Sequence, residues 1–545
     1  MRQGEDSSIL SAMDRIKQKA TWVLAAVTLL LSGWLLQGNV AAAAITVNTT
    51  ADELNEDGDC SLREAIRAAN LDQVVDGCPA GNGADTIFLP PGEYLFDAAL
   101  AGFNEDHALT GDLDIREDLT IEGAGRVNTR IDANGLDRVF HVIDATVEIS
   151  GVTITGGDAA SNFPSFGGGI YVFNGALSLI NSRLTDNEAA YNGGGVYFSS
   201  EGETLTVINS RIDHNTADST GGGLDVRFGA LTLIGSRVEH NTAGSGAGVQ
   251  SWGPTYISNG VINNNTAVSL ASGGGGLSIL IEALTMVNST ISGNSAAASG
   301  AGMTVGVNGT ANLYNVTITN NTADTDGDNT GNGGGIRISA SSATVNFQNT
   351  IIAGNSDLSS VTSSTTTHPD CSGTFNSLGY NLVQDTAGCV INGDTTGNQI
   401  GVDPKLGPLA DNGGPTMTHA LQVGSPAIDA GDPNGCLDEN GDSLTVDQRG
   451  YVRPVNGDTT PDVACDIGAF ERLSPGPPTP TATATSSPTS PATATSTSSA
   501  TPTVTATSTV GPPPTPDATS SPTAVSTATA MPTAAHELYL PIVQR

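Results

Sequence analysis

Apolar and polar side chains alternate with a period of two along much of the chain. Leu177 and Leu179, or Leu205 and Val207, are separated by a single polar residue, and β-branched residues are common around them. This period is typical of short β-strands with one buried face, whereas a helix repeats its apolar positions every three or four residues. The sequence therefore predicts an all-β body.

The alternation belongs to a repeat that returns seven times between residues 167 and 355. Each unit opens with a glycine run before an apolar residue and ends with an Asn-x5-Asn spacing. The last glycines of the runs are Gly169, Gly195, Gly223, Gly248, Gly276, Gly302 and Gly335. The second asparagines are Asn187, Asn215, Asn241, Asn265, Asn294, Asn321 and Asn355. A period of this size, without a helix in the unit, is typical of a solenoid.

A unit of short strands can bury its apolar side chains only by coiling and stacking on the next unit. We therefore predict a right-handed parallel β-helix of the pectin-lyase type. Asparagine tolerates the left-handed backbone of tight turns, and coils roughly 4.8 Å apart let amides hydrogen-bond as ladders. The first asparagines are Asn181, Asn209, Asn259, Asn288, Asn315 and Asn349, and Gly235 replaces this asparagine in the third unit.

One segment before the repeats has a helical pattern. Ser61–Asn70 places Leu62, Ala65, Ile66 and Ala69 on one face, and we interpret it as a cap on a solenoid that begins near Asp85. Ser61 and Glu64 have the spacing of a capping box, which is the interpretation we favour. A calcium loop is the alternative, and no other cofactor is predicted. Its ligands would be Glu53, Asn55, Asp57, Asp59, Ser61 and Glu64, with the turn at Gly58.

The amino terminus has the features of a secretory signal peptide, which we place at residues 1–44. Basic residues up to Lys19 precede the apolar run Trp22–Leu36, and small residues at Ala42–Ala44 offer a cleavage site. The apolar run is shorter than the roughly 20 residues that a spanning helix needs, although a retained anchor is the alternative. We expect a secreted, monomeric protein without a transmembrane segment in the mature chain.

Charge and cysteine content agree with export. The net charge is −36, so nucleic acids and anionic membranes would be repelled, and we expect no nucleic-acid partner. Six cysteines suit an oxidising compartment and allow fifteen connectivities. We favour pairing between sequence neighbours, with free or differently paired thiols as the alternative. The cysteines are Cys60, Cys78, Cys371, Cys389, Cys436 and Cys465.

Two resemblances to known families cover the ends of the body. Asp59–Asn70, containing Cys-Ser-Leu-Arg-Glu-Ala, resembles the CSLREA domain that opens many exported bacterial β-helix proteins. Residues 413–421 (GGPTMTHAL), 424–431 (GSPAIDAG), 447–450 (DQRG) and 465–471 (CDIGAFE) resemble the choice-of-anchor Q domain. The second resemblance implies surface display and no particular reaction. We divide the body into a CSLREA-like cap with first coils (45–155), β-helix repeats (156–374) and a choice-of-anchor Q-like part (375–472).

The carboxy-terminal part differs in composition from the body. Residues 473–535 are rich in Pro, Thr, Ser and Ala, which predicts a disordered stalk. Residues 536–545 (HELYLPIVQR) are too short to span a bilayer. We interpret them as a sorting or docking peptide, with an unstructured terminal remnant as the alternative.

The strands after the glycine runs carry the residues that we predict to bind a ligand. Their outward positions hold aromatic rings next to polar groups, as a sugar-binding surface does. These residues are Tyr171, Phe173, Tyr197, Asp225, Arg227, Gln250 and Trp252. The alternative is a stabilising ladder of stacked side chains without a ligand.

Catalysis is not predicted, because Asp225 is the one acid among the fourteen outward positions that follow the seven glycine runs, so no catalytic residues are assigned. We predict adhesion or binding to a glycan or another surface component, with a polysaccharide lyase or hydrolase as the alternative.

Charged side chains also recur next to the second asparagines. Asp186, His214 and His240 should stack on adjacent coils, with Asp213 and Glu239 one position earlier. Two imidazoles near acids could hold a metal, but we favour a solvated polar row and predict no metal site. Arg183, Arg211 and Arg237 align in the same way, and we expect them to pair with those acids.

Overall fold

A computed structural model describes residues 42–102, 105–159, 164–270, 273–359, 367–458 and 463–473. Most of the predicted signal peptide, the stalk beyond residue 473 and the carboxy-terminal peptide lie outside these ranges. Among the described residues, no helix combines the length and the apolar character that crossing a bilayer requires.

The body consists of one α-helix, one short 3-10 helix and 41 strands among the described residues. The helix α1 is Leu62–Leu71, and the 3-10 helix is Ala98–Leu100. The strands of the first half are β1 Ala44–Thr46, β2 Asp85–Leu89, β3 Gly92–Leu95, β4 Leu113–Ile115, β5 Leu119–Gly123, β6 Thr129–Asp132, β7 Phe140–Ile143, β8 Thr146–Ser150, β9 Thr153–Thr155, β10 Ile170–Phe173, β11 Ala176–Ile180, β12 Arg183–Thr185, β13 Glu188–Ala189, β14 Val196–Ser199, β15 Thr204–Ile208, β16 Arg211–Asp213, β17 Thr216–Thr220, β18 Leu224–Val226, β19 Ala230–Ile234, β20 Arg237–Glu239 and β21 Thr242–Ser245. Those of the second half are β22 Val249–Ser251, β23 Thr255–Ser258, β24 Val261–Asn263, β25 Thr266–Ala267, β26 Leu277–Ile279, β27 Ala283–Ser292, β28 Ser295–Ala296, β29 Met303–Val305, β30 Thr310–Thr319, β31 Thr322–Ala323, β32 Ile336–Ile338, β33 Thr344–Gln348, β34 Ile351–Ala353, β35 Ser356–Asp357, β36 Cys371–Leu378, β37 Leu382–Val383, β38 Cys389–Asp394, β39 Gln399–Ile400, β40 Leu406–Ala410 and β41 Thr418–Leu421.

All strands but the last two pair in parallel with the equivalent strands of neighbouring coils, so the predicted parallel β-helix is confirmed. Sheet 1 follows the glycine runs and contains β4, β7, β10, β14, β18, β22, β26, β29, β32 and the start of β36. Sheet 2 contains β1, β2, β5, β8, β11, β15, β19, β23, β33, β38 and parts of β27, β30 and β36. Sheet 3 contains β3, β6, β9, β12, β16, β20, β24, β34, β37, β39 and the ends of β27 and β30. The two-residue to five-residue strands β13, β17, β21, β25, β28, β31 and β35 form a narrow fourth sheet.

The core lies inside the coils and is filled by the alternating apolar residues. Leu177 and Leu179 are fully buried, and so are their partners Leu205 and Val207 one coil later. Burying a leucine of this kind contributes roughly 1.5–3 kcal/mol relative to exposing it. The period of two thus places one apolar column above another along the whole solenoid.

A column of asparagine amides runs beside this apolar core. The second asparagine of each unit is buried, and its Nδ2 donates to Oδ1 of the equivalent asparagine in the next coil over 2.8–3.0 Å. The predicted amide ladder is therefore confirmed for the second asparagine. The column ends where Asn355 Nδ2 donates to Asp370 Oδ1 over 2.9 Å. The first asparagines adopt the left-handed backbone, as Gly235 does in the third unit, and in the last two units Asn349 Nδ2 also donates to Asn315 Oδ1 over 2.7 Å.

The glycine runs are needed because the chain passes close to this column. A Cβ atom on Gly223 would lie 2.6 Å from the carbonyl oxygen of Gly248 and 3.1 Å from the amide nitrogen of Asn241. The first glycine of the same run, Gly221, has φ +65°, a backbone conformation that residues with a side chain rarely adopt. One end of the run therefore makes a left-handed turn, and the other end makes room for the ladder.

Helix α1 caps the amino-terminal coils, and the capping box is confirmed. The Glu64 backbone N–H donates to Ser61 Oγ, and the Ser61 N–H donates to Glu64 Oε2 over 3.0 Å. The four apolar residues of its predicted face are at most 4% exposed and join the solenoid core. Stacking begins earlier than the sequence indicates, because Ala44–Thr46 already pairs with β2.

Three disulfides join the cysteines that are neighbours in the sequence, so the favoured connectivity is confirmed. They link Cys60 with Cys78, Cys371 with Cys389, and Cys436 with Cys465. The first encloses helix α1, the second joins strands β36 and β38 of the last coils, and the third lies within the segment that follows the coils.

That segment, residues 403–473, folds back over the outer face of sheet 3, and we call it the return segment. Ile351 and Leu382, which point outward from sheet 3, are buried with Leu421, Ile467 and Phe470 in a small second core. The first asparagines of the later coils hold it as well. Asn288, Asn315 and Asn349 donate to the carbonyl oxygens of Val446, Leu437 and Asp466, each over 2.9 Å.

We expect Asn241→Ala to lower the free energy of unfolding by roughly 2–4 kcal/mol, because it leaves the buried Asn215 N–H without its acceptor and Ile212 without a donor. Asn346→Ala is the matched control. Asn346 belongs to an amide ladder on the partly exposed outer face, where water can replace the lost bonds, and we expect under about 1 kcal/mol there. Urea denaturation of both variants measures the difference, and equal midpoints would contradict the role of the inner ladder.

The carboxyl that ends the ladder predicts a pH dependence. Burial raises the pKa of Asp370 to about 6, whereas the bonds that its carboxylate accepts from Asn355 and from the Asp385 N–H lower the pKa. Because the pKa of Asp370 is higher in the folded protein than in the unfolded chain, the contribution of this carboxyl to the free energy of unfolding is complete below about pH 4. That contribution is lost as the pH rises through about 6. We expect Asp370→Asn to show a smaller loss of urea midpoint between pH 4 and pH 7 than the native protein. Identical slopes would show that this carboxyl does not titrate in that range.

Candidate functional site

The outer face of sheet 1 brings together all seven residues that the sequence predicts to bind a ligand. Tyr171, Tyr197, Asp225 and Gln250 are in register on successive coils and form a first row. Phe173, Ser199, Arg227 and Trp252 lie two positions later at the corner where the strands end and form a second row, in which Ser199 separates Phe173 from Arg227. The register also extends the first row to Asp114 and His141 in the early coils. The sequence did not reveal these two residues, because the early coils have no glycine run to align them.

The first row is covered. Tyr171 and Tyr197 are each only 9% exposed, since His141 stacks on Tyr171 with ring centroids 4.8 Å apart and Phe166 stacks on Tyr197 at 4.4 Å. Gln250 is also buried, because the chain turns back over it at Gly246. Tyr171 and Tyr197 contact each other at 5.5 Å with tilted rings. This row has the stacked geometry of a stabilising ladder.

Asp225 connects the first row to the second. It is fully buried, which raises its pKa, while its ion pair with Arg227 acts in the opposite direction. Arg227 Nε lies 2.6 Å from Asp225 Oδ1, and the Thr220 hydroxyl donates to the other carboxylate oxygen. The guanidinium of Arg227 in turn lies over the Trp252 ring, 4.9 Å from its centroid. A buried acid thus fixes an arginine, and the arginine supports one face of an indole.

The second row is accessible. Phe173 is 48% exposed, Arg227 and Trp252 are partly exposed, and Phe228, directly after Arg227, is 68% exposed. We call Phe173, Arg227, Phe228 and Trp252 the aromatic corner. Phe228 was missed because it follows the alternating positions instead of belonging to them. Its large apolar ring directly before Gly229 was the signal that could have revealed it.

A groove of about 540 Å³ borders the aromatic corner at its amino-terminal end. Ile143 in its wall is the register partner of Phe173. Arg67 and Arg116 add positive charge, and they donate to the carbonyl oxygens of His107 and Asp106. We call it the amino-end groove. Its lining residues are Arg67, Asn70, Leu71, His107, Leu109, Arg116, Glu117, Ile143 and Asp144.

Four acidic groups in the described part of the chain could hold a cation, and one of them includes Asp114 and His141 of the first row. The groups whose ligand atoms lie within 4.8 Å of one another are Asp106, Asp114 and His141; Glu53, Asp57 and Asp59; Asp59, Glu64 and Asp76; and Asp324, Asp326 and Asp328. Desolvation, followed by repulsion from neighbouring acids, raises the pKa of Glu53 and Asp59. Glu64 already accepts backbone N–H bonds from Ser61 and Asn55. The calcium hypothesis stays a prediction, which calorimetric titration of the protein with calcium tests.

The charged row beside the second asparagines is organised by ion pairs. Arg183 Nε donates to Asp213 Oδ1 over 2.8 Å, and Arg211 lies 2.7 Å from Glu239, as expected. Arg237 differs, because it donates to the carbonyl oxygen of Pro415 in the return segment. The His214 and His240 rings stack face to face with centroids 5.1 Å apart. Among the described residues, these histidines and Asp186 do not form a group with converging ligand atoms.

Comparison with known proteins finds similarity at the level of solved structures. No family model matches the chain, and no curated protein sequence does. Pectate lyase Pel9A aligns over 80% of this chain and 98% of its own with 16% identity and a TM-score of 0.39. The A-module of the Azotobacter vinelandii mannuronan C-5 epimerase AlgE4 covers 58% of this chain and 89% of its own, with 13% identity and a TM-score of 0.26. XylC in complex with xylose covers 73% of this chain and 66% of its own, with 12% identity and a TM-score of 0.24. These similarities assign no activity to this chain.

We expect the two rows to respond differently to truncation. Tyr197→Ala should lower the free energy of unfolding by about 3 kcal/mol, because it removes a buried ring stacked on Phe166. Phe228→Ala should change it by less than about 0.5 kcal/mol, because the ring is mostly in solvent. Thermal or urea denaturation measures both. A stable Tyr197→Ala variant would show that the first row does not support the sheet.

Proposed function

We propose that this protein is a secreted, surface-displayed and non-catalytic β-helix protein that binds glycans at the aromatic corner and the adjoining amino-end groove. The observation that carries the proposal is the accessibility of Phe228 and Trp252 on adjacent coils, with Arg227 held over the Trp252 ring by a buried carboxylate and Phe173 exposed two coils earlier at the same corner.

The chemistry of this corner suits sugars. Aromatic rings offer flat apolar faces to the C–H faces of a pyranose, and fixed polar groups beside them can hydrogen-bond its hydroxyls. Arg227 keeps its place through Asp225, so little conformational freedom is lost when a ligand binds. A parallel sheet also presents such groups in straight rows, which matches an extended chain better than a compact molecule.

Secretion and display are supported by several features of the chain. Three disulfides are typical of an oxidising compartment outside the cytoplasm. The basic and apolar amino terminus resembles a signal peptide, and the CSLREA-like and choice-of-anchor Q-like motifs resemble those of exported surface proteins. In this proposal the Pro/Thr-rich segment after residue 473 holds the body away from the cell, and residues 536–545 direct its attachment.

The catalytic alternative is less well supported on this face. Asp114 and Asp225, the two acids of the first row, are both fully buried, and the carboxylate of Asp114 accepts a bond from the Ala108 N–H and contacts His141. A polysaccharide-cleaving enzyme needs carboxylates that reach the bond to be broken.

The binding hypothesis predicts a specific loss on substitution. The whole secreted protein is tested by calorimetry against cello-, xylo- and manno-oligosaccharides. Trp252→Ala and Phe228→Ala should each weaken binding of whichever oligosaccharide binds by roughly tenfold, because each removes one stacking face. Their melting temperatures should change little. Phe88→Ala is the matched control, since Phe88 is an exposed aromatic residue of sheet 2, away from this corner.

Two results would contradict the proposal. Unchanged binding in both variants, or no binding of any of these oligosaccharides, would exclude the aromatic corner as the site. Incubation with polygalacturonate and with the same oligosaccharides, followed by detection of unsaturated or shortened products, tests the enzyme alternative. Product formed at catalytic turnover would refute the non-catalytic part.

A further inference from the structure

A second groove, of about 640 Å³, lies on the outer face of sheet 3 and is lined by arginines. Arg183, Arg211 and Arg237 are register partners on β12, β16 and β20, and Arg126 reaches across from an earlier coil to the carbonyl oxygen of Asn209. We call it the arginine groove. Its lining residues are Gly125, Arg126, Val127, Thr153, Asn181, Arg183, Asn209, Ser210, Arg211, Gly235, Arg237 and Pro415.

The groove is the open part of a trough that the return segment fills further along. The three arginines follow Glu93, Arg130 and Thr153 in one outward row, which continues after them as Val261, Thr290, Thr317 and Ile351. Over that apolar and uncharged part lies the return segment, held by the first asparagines of the later coils. Pro415 stands at the boundary, where its carbonyl oxygen accepts from Arg237. The row is therefore uncharged under the return segment and basic in the open groove that adjoins it.

Positive charge is concentrated in this groove, although the protein as a whole is strongly acidic. Four of the 20 lysines and arginines of a chain with net charge −36 line this one groove. Arg183 interacts electrostatically with the carboxylates of Asp213, Asp186 and Glu239. Of these, Asp213 and Glu239 are buried beneath the guanidinium groups. Fixed arginines above buried acids present N–H groups outward, and solvent at physiological salt screens the distant negative charge beyond about 8 Å.

Two of the four arginines have unused hydrogen-bonding capacity. Among the described residues, Arg126 and Arg237 have no carboxylate within 4 Å. The bond to Asn209 uses one nitrogen of Arg126, and the bonds to Pro415 use two nitrogens of Arg237. The remaining N–H groups are available to an anion, and the fork of a guanidinium fits a carboxylate or a sulfate through two parallel bonds.

The one exception in the repeat lies in this groove. Gly235 stands where six of the seven units have their first asparagine, and it keeps the same left-handed backbone. A Cβ atom at this position would lie 2.7 Å from Asn209 Oδ1 and 3.8 Å from Pro415 Cγ. The glycine therefore keeps the end of the groove open, where an asparagine side chain would meet Asn209.

We propose that the arginine groove binds a short anionic oligosaccharide, through carboxylate or sulfate groups placed on successive sugars. Arginines on adjacent coils are roughly 4.8 Å apart, so they present a linear row of charges to a linear ligand. Asn181, Asn209 and Ser210 add polar groups of the kind that bind sugar hydroxyls. A nucleic acid fits less well, because a long polyanion would extend past this short groove onto the acidic remainder of the surface. This site is separate from the aromatic corner and goes beyond the function proposed above.

The test uses the whole secreted protein and calorimetry with three probes: tetragalacturonate, a sulfated galactotetraose and neutral galactotetraose. We expect one or both acidic probes to bind more tightly than the neutral probe, and only the affinity of the acidic probes to fall as sodium chloride rises from about 0.05 to about 0.5 M. Binding of the uronate identifies a carboxylate ligand, and binding of the sulfated probe identifies a sulfate ligand. Binding of neither probe, or equal binding of the neutral one, overturns the proposal.

The location is tested by substitution. Arg126→Gln combined with Arg237→Gln should weaken acidic binding at least tenfold and change the melting temperature little, because neither arginine pairs with an acid and water can replace their exposed bonds to Asn209 and Pro415. Lys405→Gln combined with Arg472→Gln is the matched control: these two cations also donate to carbonyl oxygens, of Gly424 and Leu421, but line neither groove. Loss in the control pair instead of the first pair overturns the proposal. The salt-dependent binding of the acidic probes reports on the arginine groove, whereas the loss of neutral-oligosaccharide binding in Trp252→Ala reports on the aromatic corner, so failure of one site and failure of the other are distinguishable.

Discussion

The structure depends on the hydrogen bonds of one buried asparagine column. Each second asparagine accepts both the backbone N–H and the amide N–H of its predecessor, so the position of one coil sets the position of the next. An unpaired amide in such an interior would be costly, which makes a slipped coil unfavourable over the whole length of the stack. The glycine runs follow from this constraint, because their backbone packs against the amides too closely for a side chain.

Once the column fixes the register, outward residues must also stack in rows. Tyr171 lies beside Tyr197, His214 stacks on His240, and three arginines align on sheet 3. A row of like residues is therefore a consequence of parallel stacking and does not by itself indicate a binding site. Solvent accessibility distinguishes a candidate binding surface from a purely structural row. On this criterion the first row of sheet 1 is covered, whereas the corner beside it is exposed.

The repeat made the fold predictable, because period, strand character and ladder could all be inferred from residues close together in the sequence. The capping box and the three disulfides could be predicted for the same reason, since their partners are near neighbours. The binding face could be predicted only in part. Alternation showed that Tyr197 and Gln250 point away from the core, but it could not show that Phe166 and the turn at Gly246 cover them. The repeat predicted that Arg183, Arg211 and Arg237 align, but no local signal indicated that Arg126 and Pro415 complete a groove with them.

The motifs near the carboxy terminus show why such distant contacts matter. Gln448 of the DQRG motif accepts from Thr290 Oγ1 and donates to the carbonyl oxygen of Gly260 and to Thr416, so it joins the return segment to two coils. Arg453 and Glu471 form an ion pair with both side chains fully buried. Removing one partner of such a pair leaves an uncompensated buried charge, which ties the segment to one position. These buried polar and charged residues thus hold the return segment on sheet 3. The return segment covers the later coils as far as Pro415, which lies at the boundary of the arginine groove. Its position therefore determines which part of the trough stays open to a ligand.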